Sequence, residues 1–387
     1  MLAALALCYL AATLALAAYL HDRSAQTALR IAPSDARALA GTATVLLQAD
    51  QSQGTVALAR EQASEALQRE PINVLALRAL GMVASLEGNG ASAREFFGLA
   101  TRLTKRDLPL QLWWIEQEVV EGDLSGALAY YDEALRTSTR ANNLLLPILV
   151  KASAEPLVAR RLPPLLAPRP EYFRQFFIQG TDTASDISGI AAIGRQVLDR
   201  SDGDDQDLIN RTIMRFAREQ QFDQAWDMFT WAYGGSPEEN VVNGKFEQPV
   251  AFRLFNWDFT QSDAVTAEIA PRGDTDSLYL VARVSRGLAA RQLLRLQPGR
   301  YRLQALVGDV PDASIDRPTI GIICAEGGGT PLEAAAFPAS PAGQEALQET
   351  FIVPAGCRYQ WLDLTASAVG QDEVRAWIDE ISIRPDR

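Results

Sequence analysis

A repeat of 34 residues, which begins near residue 40, is the feature that most constrains this chain. Three positions of the repeat keep their character from copy to copy: Ala59, Ala93 and Ala127; Ala63, Phe97 and Tyr131; Ala66, Ala100 and Ala134. Small residues let two helices approach closely, and a larger residue fills the gap beside them. The interval therefore predicts stacked helical hairpins, each of which buries an apolar face against its neighbour. An ordinary alanine-rich helical bundle is the alternative.

The repeated pattern resembles the tetratricopeptide repeat (TPR), a family of two-helix units. The resemblance implies a TPR-type α-solenoid over residues 23–238, which is degenerate at about residues 142–200 because the pattern fades there. It also implies a concave groove that binds a protein partner and is lined by the first helix of each pair. The implied groove residues are Gln48, Arg78, Met82, Leu112 and Glu116. A solvated face without a partner is the alternative.

The chain begins with an apolar run. Residues 1–20 carry no charged side chain, and His21, Asp22 and Arg23 end the run. A helix of about 20 apolar residues matches the roughly 30 Å hydrocarbon core of a bilayer. We therefore predict a transmembrane anchor over residues 1–22, which makes the membrane a partner. A cleaved signal peptide is the alternative, because Ala15 and Ala17 have the small side chains that a cleavage site requires.

Charge and histidine content exclude several classes of function. The formal net charge is −12, and the sequence has no basic stripe to neutralise a phosphate backbone, which excludes nucleic acid as a partner. A single histidine cannot build a Ser–His, Cys–His or His-rich metal site. No pair of carboxylates lies in a motif that assigns acid and base roles. The sequence therefore predicts a protein that is not an enzyme.

The character of the sequence changes after a turn-forming stretch at residues 234–237. About ten short segments follow in which apolar and polar residues alternate, with turn residues between them. Such alternation is typical of antiparallel strands, so we predict a β-sandwich over residues 240–387.

Three motifs occur in order along this predicted sandwich. They are Asn243-Gly244-Lys245-Phe246-Glu247, Gln297-Pro298-Gly299-Arg300-Tyr301 and Trp377-Ile378-Asp379-Glu380-Ile381. This series resembles the galactose-binding-like jelly roll of carbohydrate-binding modules. The resemblance implies a structural Ca²⁺ site that uses Glu247 and Asp379, on the first and last strands. The alternative pairs Glu247 with an arginine and gives Asp379 a turn-capping role.

A glycan site is predicted on the strand over residues 357–364. Tyr359, Trp361 and Asp363 share one face of this strand, and two leucines share the other. If the leucines enter the core, two aromatic rings face outward beside a carboxylate, which is a platform for a sugar. Polysaccharide is therefore a predicted ligand. Burial of both rings in the core is the alternative, because aromatic side chains on strands are more often buried.

The cysteines bear on the cellular compartment. Cys324 and Cys357 lie near the ends of predicted strands, and the third cysteine, Cys8, lies in the predicted anchor. We predict a disulfide between Cys324 and Cys357, with two free buried thiols as the alternative. A disulfide requires an oxidising compartment. Together with the predicted anchor, the predicted disulfide indicates a single-pass protein of the bacterial inner membrane whose body lies in the periplasm.

The combination of anchor, TPR array and carbohydrate-module-like sandwich resembles proteins encoded with bacterial exopolysaccharide assembly systems. The resemblance implies a non-enzymatic envelope scaffold that binds a protein through the repeats and glycan through the sandwich. A structural assembly factor for another membrane complex, with no sugar binding, is the alternative. An exposed aromatic face on the sandwich separates these two hypotheses.

Overall fold

The structure is a computed structural model that describes Ala15, Tyr19, residues 24–326 and residues 329–386. The predicted anchor over residues 1–22 lies outside the described residues, apart from Ala15 and Tyr19. Within the described part of the chain, no helix is both long enough and apolar enough to cross a membrane.

Helices come first and strands follow, in the predicted order. Over residues 24–386, the described residues form a short 3-10 helix over Ser314–Asp316 and fourteen α-helices: α1 Ala25–Ile31, α2 Ala36–Ala49, α3 Gln53–Arg69, α4 Val74–Leu86, α5 Gly90–Leu103, α6 Leu108–Glu121, α7 Leu124–Thr137, α8 Thr139–Ala152, α9 Pro156–Arg161, α10 Pro163–Leu166, α11 Phe173–Thr183, α12 Ser188–Val197, α13 Gly203–Arg218 and α14 Phe222–Tyr233. They also form ten strands: β1 Asp258–Phe259, β2 Val265–Arg272, β3 Thr275–Ala282, β4 Arg286–Leu294, β5 Gly299–Val310, β6 Thr319–Cys324, β7 Pro331–Ala336, β8 Ser340–Val353, β9 Gln360–Ser367 and β10 Val374–Pro385.

The chain forms two compact units. Unit 1 comprises residues 1–149 and 168–172, and unit 2 comprises residues 150–167 and 173–387. The last α-helix ends at Tyr233 and the first strand begins at Asp258, on either side of the boundary predicted at residues 238–240. The helices over residues 173–233 belong to the same compact unit as the strands.

Unit 1 contains helical hairpins at the 34-residue interval. The six alanines at the recurring positions are buried: Ala59, Ala66, Ala93, Ala100, Ala127 and Ala134. Gly81 of α4 lies against Phe97 of α5, so that a Cβ on the glycine would stand 3.0 Å from the aromatic ring. The small residue and the large one are therefore complementary, which is the packing that the interval predicts.

The starts of these helices are fixed by side-chain caps with the same interval. Asn73 and Asp107 precede α4 and α6, and Asn89 and Asp123 precede α5 and α7. Each side chain accepts a hydrogen bond from the backbone N–H three residues later. Each cap satisfies an N–H group that the first turn leaves without an intrahelical partner, and contributes about 1 kcal/mol. The local sequence therefore sets where each hairpin begins.

Unit 2 contains a β-sandwich, as predicted. Sheet 1 has the strand order β1-β4-β9-β6-β7, sheet 2 has the order β2-β3-β10-β5-β8, and the strand pairs are antiparallel. Leu362 and Leu364 of β9 and Ala376 and Ile378 of β10 are fully buried in the common core. The residues that alternate with these leucines on β9 are Trp361, Asp363 and Thr365, and they lie on the opposite face of sheet 1.

The first and last motifs of the sandwich lie side by side. The backbone N–H of Ile381 donates to the carbonyl oxygen of Gly244 at 2.9 Å. A Cβ on Gly244 would lie 2.1 Å from the carbonyl oxygen of Ile381, so this position requires glycine. Gln292 of β4 exchanges two hydrogen bonds of 2.9 Å with the backbone of Val242, which holds the first motif on sheet 1.

Candidate functional site

The outer face of sheet 1, where a sugar platform was predicted, is partly covered by helix α14 of the same unit. The ring of Phe222 lies 5.4 Å from the ring of Tyr359 and 6.4 Å from that of Trp361, measured between centroids. One turn further along the helix, Trp226 makes an edge contact with Phe255 at 5.2 Å. These aromatic contacts form an apolar layer between the helix and the sheet.

Tyr359 is buried beneath α14 and is only 1% exposed. Its hydroxyl donates to the carboxylate of Asp223 at 2.8 Å, and Arg358 donates to the same carboxylate at 2.8 and 3.0 Å. This placement corrects the prediction that Tyr359 faces solvent. The alternation along β9 does put Tyr359 opposite the core leucines, but a second apolar layer covers that outer face. A sugar ring has no access to Tyr359 in this arrangement.

The buried tyrosines predict a dependence of stability on alkaline pH. Burial raises the pKa of Tyr359, and its hydrogen bond to Asp223 adds to the effect; burial and Asp132 do the same for Tyr172. Because the unfolded phenols ionise near pH 10 and the folded ones resist ionisation, their stabilisation is complete below that pH and is lost as the pH rises above it. We expect the free energy of unfolding, measured by urea titration from pH 8 to 11.5, to fall above about pH 10.

Replacing both tyrosines by phenylalanine should flatten this fall. The two single variants should each remove part of it, since the two sites lie in different units. A double variant that keeps the full slope above pH 10 would contradict the assignment.

Trp361 and Asp363 are held by an arginine that the sequence analysis did not identify. The guanidinium of Arg291 on β4 lies 4.2 Å from the centroid of the Trp361 ring. It also donates two hydrogen bonds to Asp363, at 2.9 and 3.1 Å. Trp361 is half-buried, with Phe222 at its edge and Arg291 over its face. The three predicted site residues therefore have different surroundings. Tyr359 belongs to the contact with α14, whereas Trp361 and Asp363 are both contacted by Arg291.

The sequence does contain a signal for the covering helix. Four aromatic residues recur at helical spacing along α14: Phe222, Trp226, Phe229 and Tyr233. The same helix also buries Ala225 and Ala232. A helix that is apolar on more than one side needs a neighbour on each of those sides. That requirement predicts that a second element packs against the helix, although it does not identify the strands that provide this contact.

Glu247 and Asp379, the residues of the predicted calcium site, have different surroundings. Asp379 is buried, and its Oδ2 accepts hydrogen bonds from Arg272 at 3.1 Å and from the Ser277 hydroxyl at 3.2 Å. The guanidinium of Arg272 thus supplies the positive charge beside Asp379. Glu247 is exposed, and no group of three or more His, Cys, Asp or Glu residues that could hold a metal occurs among the described residues. The residues present therefore do not fit the implied calcium ion.

The structure joins Cys324 and Cys357 by a disulfide, with their Cα atoms 5.6 Å apart. Cys324 ends β6 and lies opposite Gln360, the first residue of β9. The bond therefore connects the end of β6 to the segment that precedes β9 and carries Arg358 and Tyr359.

The predicted groove residues lie on the first helices of the hairpins, α2, α4 and α6. Gln48 and Glu116 are exposed, and Met82 and Leu112 are half-buried. Among these residues, one acidic and one amide side chain are therefore exposed, and two apolar side chains are half-buried.

Arg78 has a structural partner. Its Nη1 lies 2.6 Å from Oδ2 of Asp107, and both side chains are largely buried. Because Asp107 also caps α6, the pair connects one hairpin to the next rather than presenting a charge to a ligand. Beyond it, at the end of α6, Val119 and Val120 are 63% and 76% exposed, which adds apolar surface to the helices that were predicted to line the groove.

Comparisons with known proteins yield distant matches among solved structures. No family model matches the chain, and no curated protein matches it. The chain is similar to TmCBM61, whose structure is in complex with beta-1,4-galactotriose, with 11% identity and a TM-score of 0.29, over 39% of this chain and 100% of that chain. The CBM22-1 xylan-binding domain from Paenibacillus barcinonensis Xyn10C matches with 12% identity and a TM-score of 0.29, over 39% of this chain and 97% of that one.

A longer protein also matches. The enzymatically active domain of bacteriophage CBA120 tailspike protein 4 has 16% identity and a TM-score of 0.30, over 38% of this chain, and the match spans only 21% of that chain. The matched carbohydrate-binding modules correspond to the C-terminal part of this chain. Similarity at this level does not assign a function.

Proposed function

We propose that this chain is a non-enzymatic scaffold of the bacterial envelope, which binds a segment of a partner protein through the TPR-like hairpins of unit 1. The observation that carries the proposal is the first-helix surface at α4 and α6. There, Met82 and Leu112 are half-buried and Val119 and Val120 are exposed, although the recurring alanines pack inside the array. Exposed apolar residues on such a helix favour a binding surface.

The side chains on this surface define the partner's chemistry. Glu116 is exposed and favours a basic residue on the partner, whereas Arg78 is paired with Asp107 and offers no clamp for a carboxylate. Met82 and Leu112 favour apolar side chains spaced along one peptide. The expected ligand is therefore a peptide segment with apolar anchors and a lysine or arginine, rather than an acidic C-terminus.

The proposed location and process rest on other features. The uncharged run over residues 1–20 supports a membrane anchor, and the disulfide supports a periplasmic body. The order of helical repeats and sandwich supports a place in exopolysaccharide biosynthesis or export. The burial of Tyr359 favours a structural role for the outer face of sheet 1, as in an assembly factor that binds no sugar there.

A partner-capture experiment tests the proposal. The full chain carrying Glu116→Lys and Val120→Asp is compared with the unaltered chain after crosslinking in the native host and purification from detergent-solubilised membranes. Leu58→Asp is the control, because Leu58 is exposed on α3, the second helix of its hairpin. We expect one specific protein to be lost from the Glu116/Val120 variant and retained by the control.

Secreted polysaccharide provides the second measurement. A deletion strain should secrete less polysaccharide, and the unaltered chain and the Leu58→Asp chain should restore it while the Glu116/Val120 variant does not. Equal protein capture by all three chains would refute the binding surface. Unchanged polysaccharide in the deletion strain would refute the proposed process.

A further inference from the structure

Unit 2 contains a cleft of about 650 Å³ lined by arginines, although the chain as a whole has a net charge of −12. Five arginines line it: Arg174, Arg211, Arg215, Arg218 and Arg253. The first four lie on α11 and α13, and Arg253 lies in the segment that leads into β1. Three aspartates also line the cleft, so positive charges exceed negative ones by two. The size is typical of a small-molecule site.

Three of the five arginines have partners. Arg211 pairs with Asp182 at 3.3 Å, and Arg174 lies 3.8 Å from Asp207. Arg215 donates to backbone carbonyl oxygens at the end of α11. Arg218 and Arg253, by contrast, are exposed and make no ion pair or hydrogen bond within residues 24–326 and 329–386. The cleft therefore presents two unpaired guanidinium groups.

Arg253 is held at the cleft by strained backbone. Its neighbours Phe252 and Leu254 both have positive φ angles, 55° and 80°, which are unfavourable for bulky residues. Both side chains are buried, and the carbonyl oxygen of Leu254 accepts a hydrogen bond from the N–H of Leu293 at 2.6 Å. Such strain costs on the order of 1–3 kcal/mol per residue and persists where packing enforces it. Because Phe252 and Leu254 are both held in the interior, Arg253 between them is exposed.

We propose that this cleft binds an acidic sugar, a unit that carries both a carboxylate and ring hydroxyl groups. The guanidinium groups of Arg218 and Arg253 each carry parallel N–H donors, which match the two oxygens of a carboxylate. Asp258 lines the same cleft and has no ion-pair partner in the described part of the chain, so its oxygens accept hydrogen bonds from hydroxyl groups. A phosphate would satisfy the arginines but has no ring hydroxyl groups to donate to Asp258, and a neutral sugar would leave both guanidinium groups unpaired.

This site is independent of partner binding by unit 1, so each proposal can fail without the other. Calorimetric titration of the full chain with trigalacturonate, a neutral galactotriose and inorganic phosphate tests it. We expect trigalacturonate to bind, with an affinity that falls as salt is added, and the neutral trisaccharide to bind at least tenfold more weakly.

Variants assign the binding to the cleft. Arg218→Gln combined with Arg253→Gln should lower the affinity for trigalacturonate at least tenfold. Arg286→Gln is the matched control, because Arg286 is exposed at the start of β4 and has no ion pair among the described residues. Thermal unfolding of each variant confirms that it is folded.

The proposal is overturned by any of three results. The first is no binding of trigalacturonate to the folded, unaltered chain. The second is phosphate binding as tight as that of trigalacturonate. The third is an equal affinity for trigalacturonate in the Arg286→Gln control and the Arg218/Arg253 double variant.

Discussion

Replacement of Phe222 by alanine is expected to lower the free energy of unfolding of unit 2 by about 3–5 kcal/mol. Phe222 is buried, and its ring packs on Tyr359 and Trp361 of sheet 1. Removal of the ring leaves a cavity between α14 and the sheet, and also removes aromatic contacts that contribute about 0.5–1.5 kcal/mol per pair. Guanidinium unfolding followed by tryptophan fluorescence measures the change.

Leu157→Ala is the control for this variant. Leu157 belongs to the same unit but is 69% exposed, so its truncation should change stability by less than about 0.5 kcal/mol. A loss below about 1 kcal/mol at Phe222, or equal losses at both positions, would show that α14 does not pack on sheet 1 in solution.

Replacement of Cys324 and Cys357 together by alanine is expected to lower the free energy of unfolding by about 3–4 kcal/mol. The two cysteines are 33 residues apart in sequence, and the bond restricts the unfolded chain by closing that loop. Both side chains are buried, so alanine is tolerated there better than a polar residue. Denaturant unfolding without reductant compares the double variant with the unaltered chain.

Cys8→Ala is the control for the cysteine variant, since it removes the third thiol and leaves the disulfide in place. It should keep the unfolding midpoint of the unaltered chain, and a reductant should shift that midpoint towards the value of the double variant. If the double variant and the unaltered chain unfold at the same denaturant concentration without reductant, the disulfide does not form.

The hairpins of unit 1 are predictable from sequence because their contacts lie within one repeat or join neighbouring repeats. Gly81 meets Phe97 within one hairpin, and Asn73 and Asp107 cap helices one interval apart. A fixed interval in the sequence therefore predicts both a helix and the helix that packs against it. The alternation of leucines with polar and aromatic residues on β9 likewise predicts which residues enter the core of the sandwich.

The sugar platform is not predictable in the same way. Alternation assigns Tyr359 to the outer face of a strand, but it gives no information about what lies on that face. The partner, Asp223, is 136 residues away in sequence. Arg272 is similarly distant from Asp379, at 107 residues, so the cation beside that carboxylate is a guanidinium that no local motif contains. Contacts of this range depend on the whole fold.

Helix α14, which is apolar on more than one side, also affects whether copies of this chain associate with one another. The outermost hairpin of a row of stacked hairpins normally leaves an apolar surface that can join a second copy head to tail, which gives open-ended fibres unless a polar terminal unit blocks growth. In unit 2, the aromatic side of α14 packs on sheet 1 of the same unit, so the sandwich covers a surface that could otherwise join a second copy. A chain truncated after Tyr233 would expose that surface, and we expect it to self-associate.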